Sequence, residues 1–260
     1  MKKMIYRLLL TISIIAFLLS AFMVGKYFYE QYKSQSDFQT LSSSVQFPIR
    51  NSATLNEAPN QSVQWFDAYQ KLYDQNQDFV GWIQIDDTKI NYPVMQTVSD
   101  PEFYLHRNFE KLDSSHGTPF IDYRNELDPR SDNILLYGHH MKDGTMFADL
   151  IQYTDYDYFE SHPIIRFDTL NELSEYQIVA VFKTPSEGEN VFFYNDYLNF
   201  TDEQDFETYR QEVQNRSFYD TGVDFQFGDK LLTLSTCEYT LANNGRLAVV
   251  AKKTTSIVKE

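Results

Sequence analysis

The sequence predicts a mainly β domain, an antiparallel barrel or a sandwich, that follows one membrane-spanning helix. Aromatic residues make up 16% of the chain, and aromatic side chains suit the pleated, half-buried surface of a sheet. Short apolar segments alternate with turns rich in Asp, Asn, Gly and Pro, as in domains built from many short strands. An uncharged run over residues 8–25 precedes all of these segments. We therefore expect an anchored β domain with short helices in its connections.

The N-terminal segment has the pattern of a signal-anchor. A basic stretch over residues 2–7 is followed by the uncharged run, whose 18 residues span roughly 27 Å as a helix, close to the hydrocarbon thickness of a bilayer. A cleavable signal peptide is the competing interpretation, because Ser20 and Ala21 are small, but the apolar run continues beyond them. We predict a cytoplasmic tip and transmembrane anchor over residues 1–29, with the rest of the chain outside the cell membrane.

Three further regions follow the anchor. Residues 30–62 are rich in Ser, Gln and Asn, which predicts an extracellular stalk that is partly helical at best. Residues 63–77 carry large apolar side chains at helical spacing, which predicts an N-terminal helix that packs on the domain behind it. Residues 78–260 form the predicted barrel domain, with a helix inserted near 202–215.

The strand candidates are short apolar or alternating runs bounded by turn residues. They are a hairpin over 82–94 and strands over 118–121, 133–137, 164–168, 175–182, 230–235 and 246–252. A helical stretch is expected between Met141 and Tyr158.

Composition excludes some classes of function. The formal net charge is −15 and the sequence pI is about 4.7, which disfavours binding to nucleic-acid phosphates. The sequence has no HExxH motif and no Cys/His cluster, so it predicts no metal site.

Cys237 is the only cysteine of the chain and ends the strand-like run LLTLSTC. A single cysteine forms no internal disulfide, so it is either an inert buried thiol or a reactive one. Free thiols titrate near pKa ~8.5 and need a base or a cation to become good nucleophiles at neutral pH. Position alone leaves both interpretations open.

Two residues are candidates to activate this thiol. His139 follows the apolar run Ile134 to Tyr137 and the strand-breaking Gly138, so it also lies at a strand end. If the two strands are neighbours, their ends bring His139 and Cys237 together. Arg246 opens the strand after the turn TLANNG and would lie beside the cysteine strand, where it could hold an oxyanion. Each of the two also has a structural alternative, as a surface or fold-stabilising side chain.

Together these motifs resemble the sortases, the membrane-anchored cysteine transpeptidases of Gram-positive bacteria. The resemblance covers roughly residues 78–253 and rests on TLSTC, on Arg246 nine residues later, and on YGH upstream. It implies a closed eight-stranded β-barrel with Cys237 and Arg246 on adjacent strands. No cofactor is implied.

The resemblance also implies a mechanism and partners. Cys237 would attack the Thr carbonyl of a C-terminal sorting motif in secreted surface proteins or pilins and form a thioacyl-enzyme intermediate. His139 would protonate the leaving amine and then deprotonate the incoming one, and Arg246 would stabilise the oxyanion or the substrate. The acceptor amine would come from a peptidoglycan cross-bridge or a pilin lysine.

Within the family, the sequence is most similar to class B sortases. The stretch YGHHMKDGTMFADL, the inserted helix near 202–215 and the helical region before Asp78 match that class. The Asp-Pro pairs at Asp100 and Asp128 lack the following aromatic residue of a pilin-polymerising class C lid. Class A members usually have a longer connection between the cysteine and the arginine; the interval of nine here is slightly short.

Candidate substrate-binding residues follow from the same resemblance. They are Ser235, Thr236, Glu238, Asn91 and Tyr137. Tyr194 and Tyr197, in the insertion before the helix, are further candidates to cover the substrate.

Three alternative functions remain open at this point: a pilin-polymerising sortase of another class, a cysteine hydrolase with the same Cys–His pair, and an anchored binding domain without catalysis. Incorporation of an added amine separates a transpeptidase from a hydrolase. An inert Cys237 would indicate the binding domain.

Overall fold

In a computed structural model of the chain, which describes residues 2–44, 59–188, 190–240 and 245–259, eight strands close into one barrel. Neighbouring strands follow the order β1-β2-β3-β4-β7-β8-β6-β5, and β5 pairs with β1 to complete the closure. The strands are β1 (Phe79–Gln84), β2 (Asn91–Met95), β3 (Phe120–Ile121), β4 (Asn133–Tyr137), β5 (Ile164–Thr169), β6 (Glu172–Thr184), β7 (Leu231–Glu238) and β8 (Gly245–Val258). The predicted barrel is confirmed, and the sandwich is not the fold.

Most strand pairs are antiparallel, but β2–β3 and β4–β7 are parallel. A parallel pair needs a crossover connection, and the chain between β4 and β7 contains β5, β6 and two α-helices. Because parallel strands end at the same edge of a sheet, the β4–β7 pair brings two distant parts of the chain to one end of the barrel.

The central strands are buried on both faces. In β4, Ile134 and Leu136 belong to the main core cluster, while Leu135 belongs to a second cluster with Tyr209 and Val213 of the inserted helix. This explains why these strands are continuous apolar runs and not alternating ones, since a strand covered on both sides has no solvent-facing positions.

Four α-helices lie in the described residues: α1 (Lys2–Ser44), α2 (Pro59–Gln75), α3 (Tyr156–Ser161) and α4 (Glu203–Arg216). Asp202 caps α4, because its side chain accepts a hydrogen bond from the Asp205 amide. The structure differs from the helix expected between Met141 and Tyr158. Gly144 and Met146 adopt positive φ angles of 75° and 56°, which a right-handed helix excludes, so helical turns begin only at Ala148–Thr154.

Helix α1 runs through the predicted anchor and continues into the region expected to be a stalk. Residues 8–25 are exposed, and by length and composition this helix is able to cross a membrane. Beyond them, Phe38 is buried and its ring packs edge-on against Tyr92 of β2, with ring centroids 5.1 Å apart. Residues 30–44 are therefore helical and docked on the barrel, whereas residues 45–58 of the expected stalk lie outside the described residues.

Candidate active site

The parallel β4–β7 pair places two candidate residues at one end of the barrel. Tyr137 pairs with Ser235, and the Gly138 amide donates a hydrogen bond of 3.1 Å to the Ser235 carbonyl. Thr236 Oγ1 donates a bond of 2.7 Å to the Gly138 carbonyl. The chain after each strand thus leaves the barrel at the same place, so His139 and Cys237 lie at neighbouring strand ends, as predicted from the sequence.

Arg246 lies directly opposite Cys237 in the antiparallel β7–β8 ladder. Residues opposite each other on one face of such a pair have Cβ atoms about 5 Å apart. Cys237 is partly exposed, so its thiol is accessible. Cys237, Arg246 and His139 line a single cleft with a volume of about 540 Å³.

The His139 imidazole is oriented by a backbone carbonyl. Its Nε2 lies 2.8 Å from the Leu105 carbonyl oxygen; because a carbonyl only accepts, Nε2 carries a proton and donates it. Burial lowers the pKa of His139, the hydrogen bond to Leu105 opposes that shift, and the charges of His106 and His116 lower the pKa further. The neutral ring with a proton on Nε2 is therefore favoured, and Nδ1 is its basic nitrogen.

A second histidine holds the backbone of the cysteine. His140 Nδ1 donates a hydrogen bond of 3.1 Å to the Cys237 carbonyl, and the His140 ring packs near Tyr239, with ring centroids 5.3 Å apart. This contact was not predicted from the sequence. The signal was the repeated histidine directly after the strand-ending glycine.

Buried contacts hold the loop that carries His139 and His140 in place. Gly138 lies so close to Phe147 that an added Cβ would be 2.6 Å from the ring, so no larger residue fits without a shift. His116 Nε2 and Asp143 Oδ2 are 2.7 Å apart and almost fully buried. Burial acts to raise the pKa of Asp143, but the hydrogen bonds from Thr145 and His116 outweigh it and hold the pKa low.

Three of the five substrate-binding candidates line the same cleft: Tyr137, Ser235 and Thr236. Ser235 Oγ shares a hydrogen bond of 2.6 Å with the hydroxyl of Tyr194, which also lines the cleft. Burial raises the pKa of this tyrosine, and the charge of Arg246 acts against that shift. The Tyr194 hydroxyl therefore remains neutral and able to donate a hydrogen bond near the cysteine.

The structure places the other two candidates elsewhere. The side chain after Cys237 points to the opposite face of the strand, and Glu238 is 1% exposed, with its carboxylate paired to Lys183 at 3.0 Å. Asn91 Oδ1 accepts a hydrogen bond of 2.6 Å from Trp82 Nε1, and Asn91 lines a separate cavity between α1 and the barrel. Neither residue is among those that line the cleft at Cys237, and their substrate-binding role stays a prediction.

Tyr197 does not itself line the cleft. Its ring packs against Tyr209 of α4 with a centroid separation of 5.1 Å and lies 5.8 Å from the ring of the cleft-lining Phe192. Aromatic spacing alone does not tell a residue that covers a substrate from one that packs on a helix.

Several cleft residues were not found by sequence reasoning. They come from the end of β3 and from the connection between β6 and α4, and include Asp122, Tyr123, Phe193 and Asn195. The available signal was the pairing of opposite charges in the stretch FIDYR, directly after an apolar strand. In the described ranges, His, Cys, Asp and Glu side chains form no group of three or more able to hold a metal ion.

Comparison with known proteins gives a consistent picture. A family model described as Sortase domain matches residues 83–254. Sortase B of Listeria monocytogenes is 36% identical over 222 residues, which is 85% of each chain. The Staphylococcus aureus sortase B–substrate complex superposes with a TM-score of 0.74 at 30% identity, and covers 87% of this chain and 99% of the other. A crystal structure of sortase B complexed with triglycine gives a TM-score of 0.72 at 29% identity, with coverage of 88% and 100%.

Proposed function

The chain belongs to the sortase family and is a cysteine transpeptidase of class B, and on this premise we propose that it cuts a C-terminal sorting motif of secreted proteins after Thr and joins the new carboxyl group to an amine. The observation that supports this most directly is the register of β7 and β8, which sets Cys237 opposite Arg246 in a cleft that His139 also lines. Nucleophile, acid–base group and cation are thereby grouped as acyl transfer requires.

In the first half-reaction, the Cys237 thiol gives its proton to Nδ1 of His139 as its sulfur attacks the Thr carbonyl carbon, and the carbonyl electrons form an oxyanion. Arg246, next to the cysteine in the ladder, stabilises this negative charge. The oxyanion collapses, the C–N bond breaks, and the leaving amine takes a proton from His139. The product is a thioester on Cys237.

The proton moves through a specific nitrogen of His139. Because Nε2 donates to the Leu105 carbonyl, Nδ1 is the atom that gives the proton to the leaving amine and later accepts one from the incoming amine. Loss of the Leu105 contact would let the ring rotate or change its tautomer, which misplaces the basic nitrogen.

In the second half-reaction, an acceptor amine attacks the thioester and gives a proton to His139. The C–S bond breaks as the new amide forms, and the leaving Cys237 sulfur takes that proton back from His139, which restores the thiol. A related sortase B was crystallised with triglycine, which supports an acceptor with an unbranched N-terminal amine. We propose the peptidoglycan cross-bridge as the source of that amine, with a pilin lysine as the alternative.

The proposed location is the outer face of the cell membrane. Helix α1 is long and apolar enough to act as the anchor, and the basic residues before its apolar run favour a cytoplasmic N-terminus. The substrate would then be a secreted protein held near the same membrane.

The test is a ligation assay with the full chain in detergent and with a shortened protein that begins at Ser62. Each is incubated with a library of peptides of the form x-P-x-T-x, with and without triglycine, and the products are identified by mass spectrometry. We expect cleavage after Thr and a triglycine-ligated product. Cys237→Ala and His139→Ala should lower the rate by at least roughly 1,000-fold, and Arg246→Ala by roughly 100-fold or more.

Arg210→Ala, on the outer face of the domain in α4, is the matched control and should retain full activity. Cleavage that never incorporates an amine would identify a hydrolase. Absence of cleavage, together with a folded protein whose Cys237 resists alkylation, would favour the binding-domain alternative and contradict the proposal.

A further inference from the structure

Five consecutive residues, 191–195, line the cleft and form what we call the wall segment. It is attached to the barrel at three points. The Phe192 amide donates to Thr184 Oγ1 at 2.9 Å, the Tyr194 hydroxyl bonds to Ser235, and the Asn195 carbonyl accepts a hydrogen bond of 2.8 Å from Arg124. The first two attachments reach β6 and β7, whereas the third reaches the other side of the cleft, after β3.

Arg124 is not itself among the cleft-lining residues, but it contacts three that are. Its Nε donates a hydrogen bond to Asp122 Oδ1 and its Nη2 donates one to Asp122 Oδ2, both at 2.9 Å. Its guanidinium lies over the Tyr123 ring, 5.9 Å from the centroid. The same Nη2 donates to the Asn195 carbonyl. One planar group thus joins two parts of the cleft wall.

The Asp122 carboxylate holds the Arg124 guanidinium in place. It is 5% exposed, and the Tyr137 hydroxyl donates to its Oδ2 at 3.1 Å. Burial acts to raise the pKa of Asp122, but the hydrogen bonds and charge of Arg124 outweigh it, so the pKa lies below its usual value and the group stays ionised. A buried carboxylate requires its cation, so the fork between Arg124 and Asp122 resists opening.

We propose that Arg124 is a positioning residue for the donor peptide: by joining Asp122 to the Asn195 carbonyl, it fixes the wall segment against the β3 side of the cleft and sets the width of the sorting-motif groove. This inference rests on the proposed function, since the groove must accept a peptide. It assigns no contact between Arg124 and the reacting atoms. The donor peptide must fill the groove, whereas the acceptor amine reacts later with a thioester already in place.

The two half-reactions therefore respond differently to loss of the tether. In a reaction that proceeds through a covalent intermediate, kcat/KM for the donor peptide reports formation of the thioester, and kcat/KM for the amine reports its resolution. A widened groove orients the donor less well, and small misplacements of a bound substrate cost rate steeply. We therefore expect kcat/KM for the donor peptide to fall and kcat/KM for the amine to stay unchanged.

The experiment compares Arg124→Gln, Arg124→Lys and Asp122→Asn with the wild-type chain, using the best-cleaved peptide of the x-P-x-T-x library and triglycine. For Arg124→Gln we expect kcat/KM for the peptide to fall roughly tenfold or more and kcat/KM for triglycine to stay within about twofold. Arg124→Lys keeps the positive charge but cannot make the two-pronged contact with Asp122, so its kcat/KM for the peptide should lie between those of wild type and Arg124→Gln. Amide hydrogen exchange should accelerate in the wall segment of Arg124→Gln.

The matched control is Arg210→Gln. Arg210 makes an equivalent two-pronged contact with Glu207, at 2.7 and 2.8 Å, but within helix α4. This variant should leave both kinetic parameters and exchange of the wall segment unchanged. Near-ultraviolet circular dichroism checks that each variant is folded; if Arg124→Gln is not, Arg124→Lys and Asp122→Asn decide the result.

The positioning role of Arg124 would be contradicted if kcat/KM fell equally for the peptide and for triglycine, or if kcat/KM for the peptide did not fall in folded variants. Neither result would contradict the proposed transpeptidase function. Wild-type protein that ligates no library peptide would overturn the proposed function, and the inference would fall with it. The two failures are therefore distinguishable.

Discussion

At the scale of single residues, Cys237 has a defined chemical setting because two chain segments converge on it. Arg246 is its partner in the ladder, and His140 holds its carbonyl. The sequence was sufficient to propose Cys237, His139 and Arg246 as candidates, because each combines a reactive side chain with a strand end, and the three line one cleft. It was not sufficient to indicate His140 or Arg124, whose contacts are with the backbone of distant residues.

Burial of His139 should make the stability of the folded protein depend on pH. Burial lowers the pKa of His139 from its ordinary value of 6.5, so the unfolded chain binds this proton more readily than the folded chain. The folded state therefore carries no penalty from this group above about pH 6.5, and stability is lost as the pH falls toward the folded-state pKa. We expect the melting temperature of wild-type protein to drop more between about pH 8 and about pH 5 than that of His139→Gln, measured by calorimetry.

The amide of Gln can still donate to the Leu105 carbonyl but does not titrate, which makes this variant a matched comparison. Equal drops in melting temperature for the two proteins would show that His139 is not held neutral by burial.

At the scale of elements, the β4–β7 pair is the feature that builds the site. The runs over 133–137 and 230–235 were both recognisable as strands, but nothing local in either run predicts that they pair in parallel. Pairing is decided by the whole barrel, where both strands are covered on two faces. Local pattern failed at 141–158, because the left-handed backbone at Gly144 and Met146 interrupts a helix-like spacing of apolar residues.

The bond between Thr236 Oγ1 and the Gly138 carbonyl joins the ends of these two strands. Thr236→Val keeps the shape of the side chain but leaves the carbonyl without this donor, so we expect a loss of about 1–3 kcal/mol in the free energy of unfolding, measured with urea. Turnover should also fall, because the strand ends that hold His139 and Cys237 would separate more easily.

Thr208→Val in α4 removes a comparable bond, from Thr208 Oγ1 to the Gln204 carbonyl at 2.9 Å, at an exposed position. Its free energy of unfolding should change by less than about 0.5 kcal/mol. A cost for Thr236→Val no larger than for this control would mean that the strand ends do not depend on the bond.

At the scale of the whole molecule, helix α1 and the barrel are joined by packing. Phe38 of α1 contributes to the main core cluster, against Tyr92 of the barrel. The sequence predicted a stalk here because polar residues outnumber apolar ones over 30–62, yet a few large side chains on one helical face are enough to dock a helix. The part of α1 around Phe38 is thus packed against the barrel.

Phe38→Ala should destabilise the full chain by roughly 3 kcal/mol, because it opens a cavity between α1 and β2. The measurement is unfolding in detergent, followed by tryptophan fluorescence. Phe28→Ala, at a position 61% exposed on the same helix, is the control and should leave the unfolding midpoint unchanged. Identical midpoints for Phe38→Ala and wild type would show that the helix is not part of the folded domain.

The central claim is that Cys237 forms a thioester with the donor peptide, and intact-protein mass spectrometry tests it most directly. The full chain is mixed with the best-cleaved library peptide in the absence of an amine, and the reaction is quenched with acid at short times. We predict an added mass equal to the peptide up to and including its Thr, located on Cys237 by peptide mapping and removed when triglycine is added. Ligated product formed without this adduct, or formed at the wild-type rate by Cys237→Ala, would contradict the account.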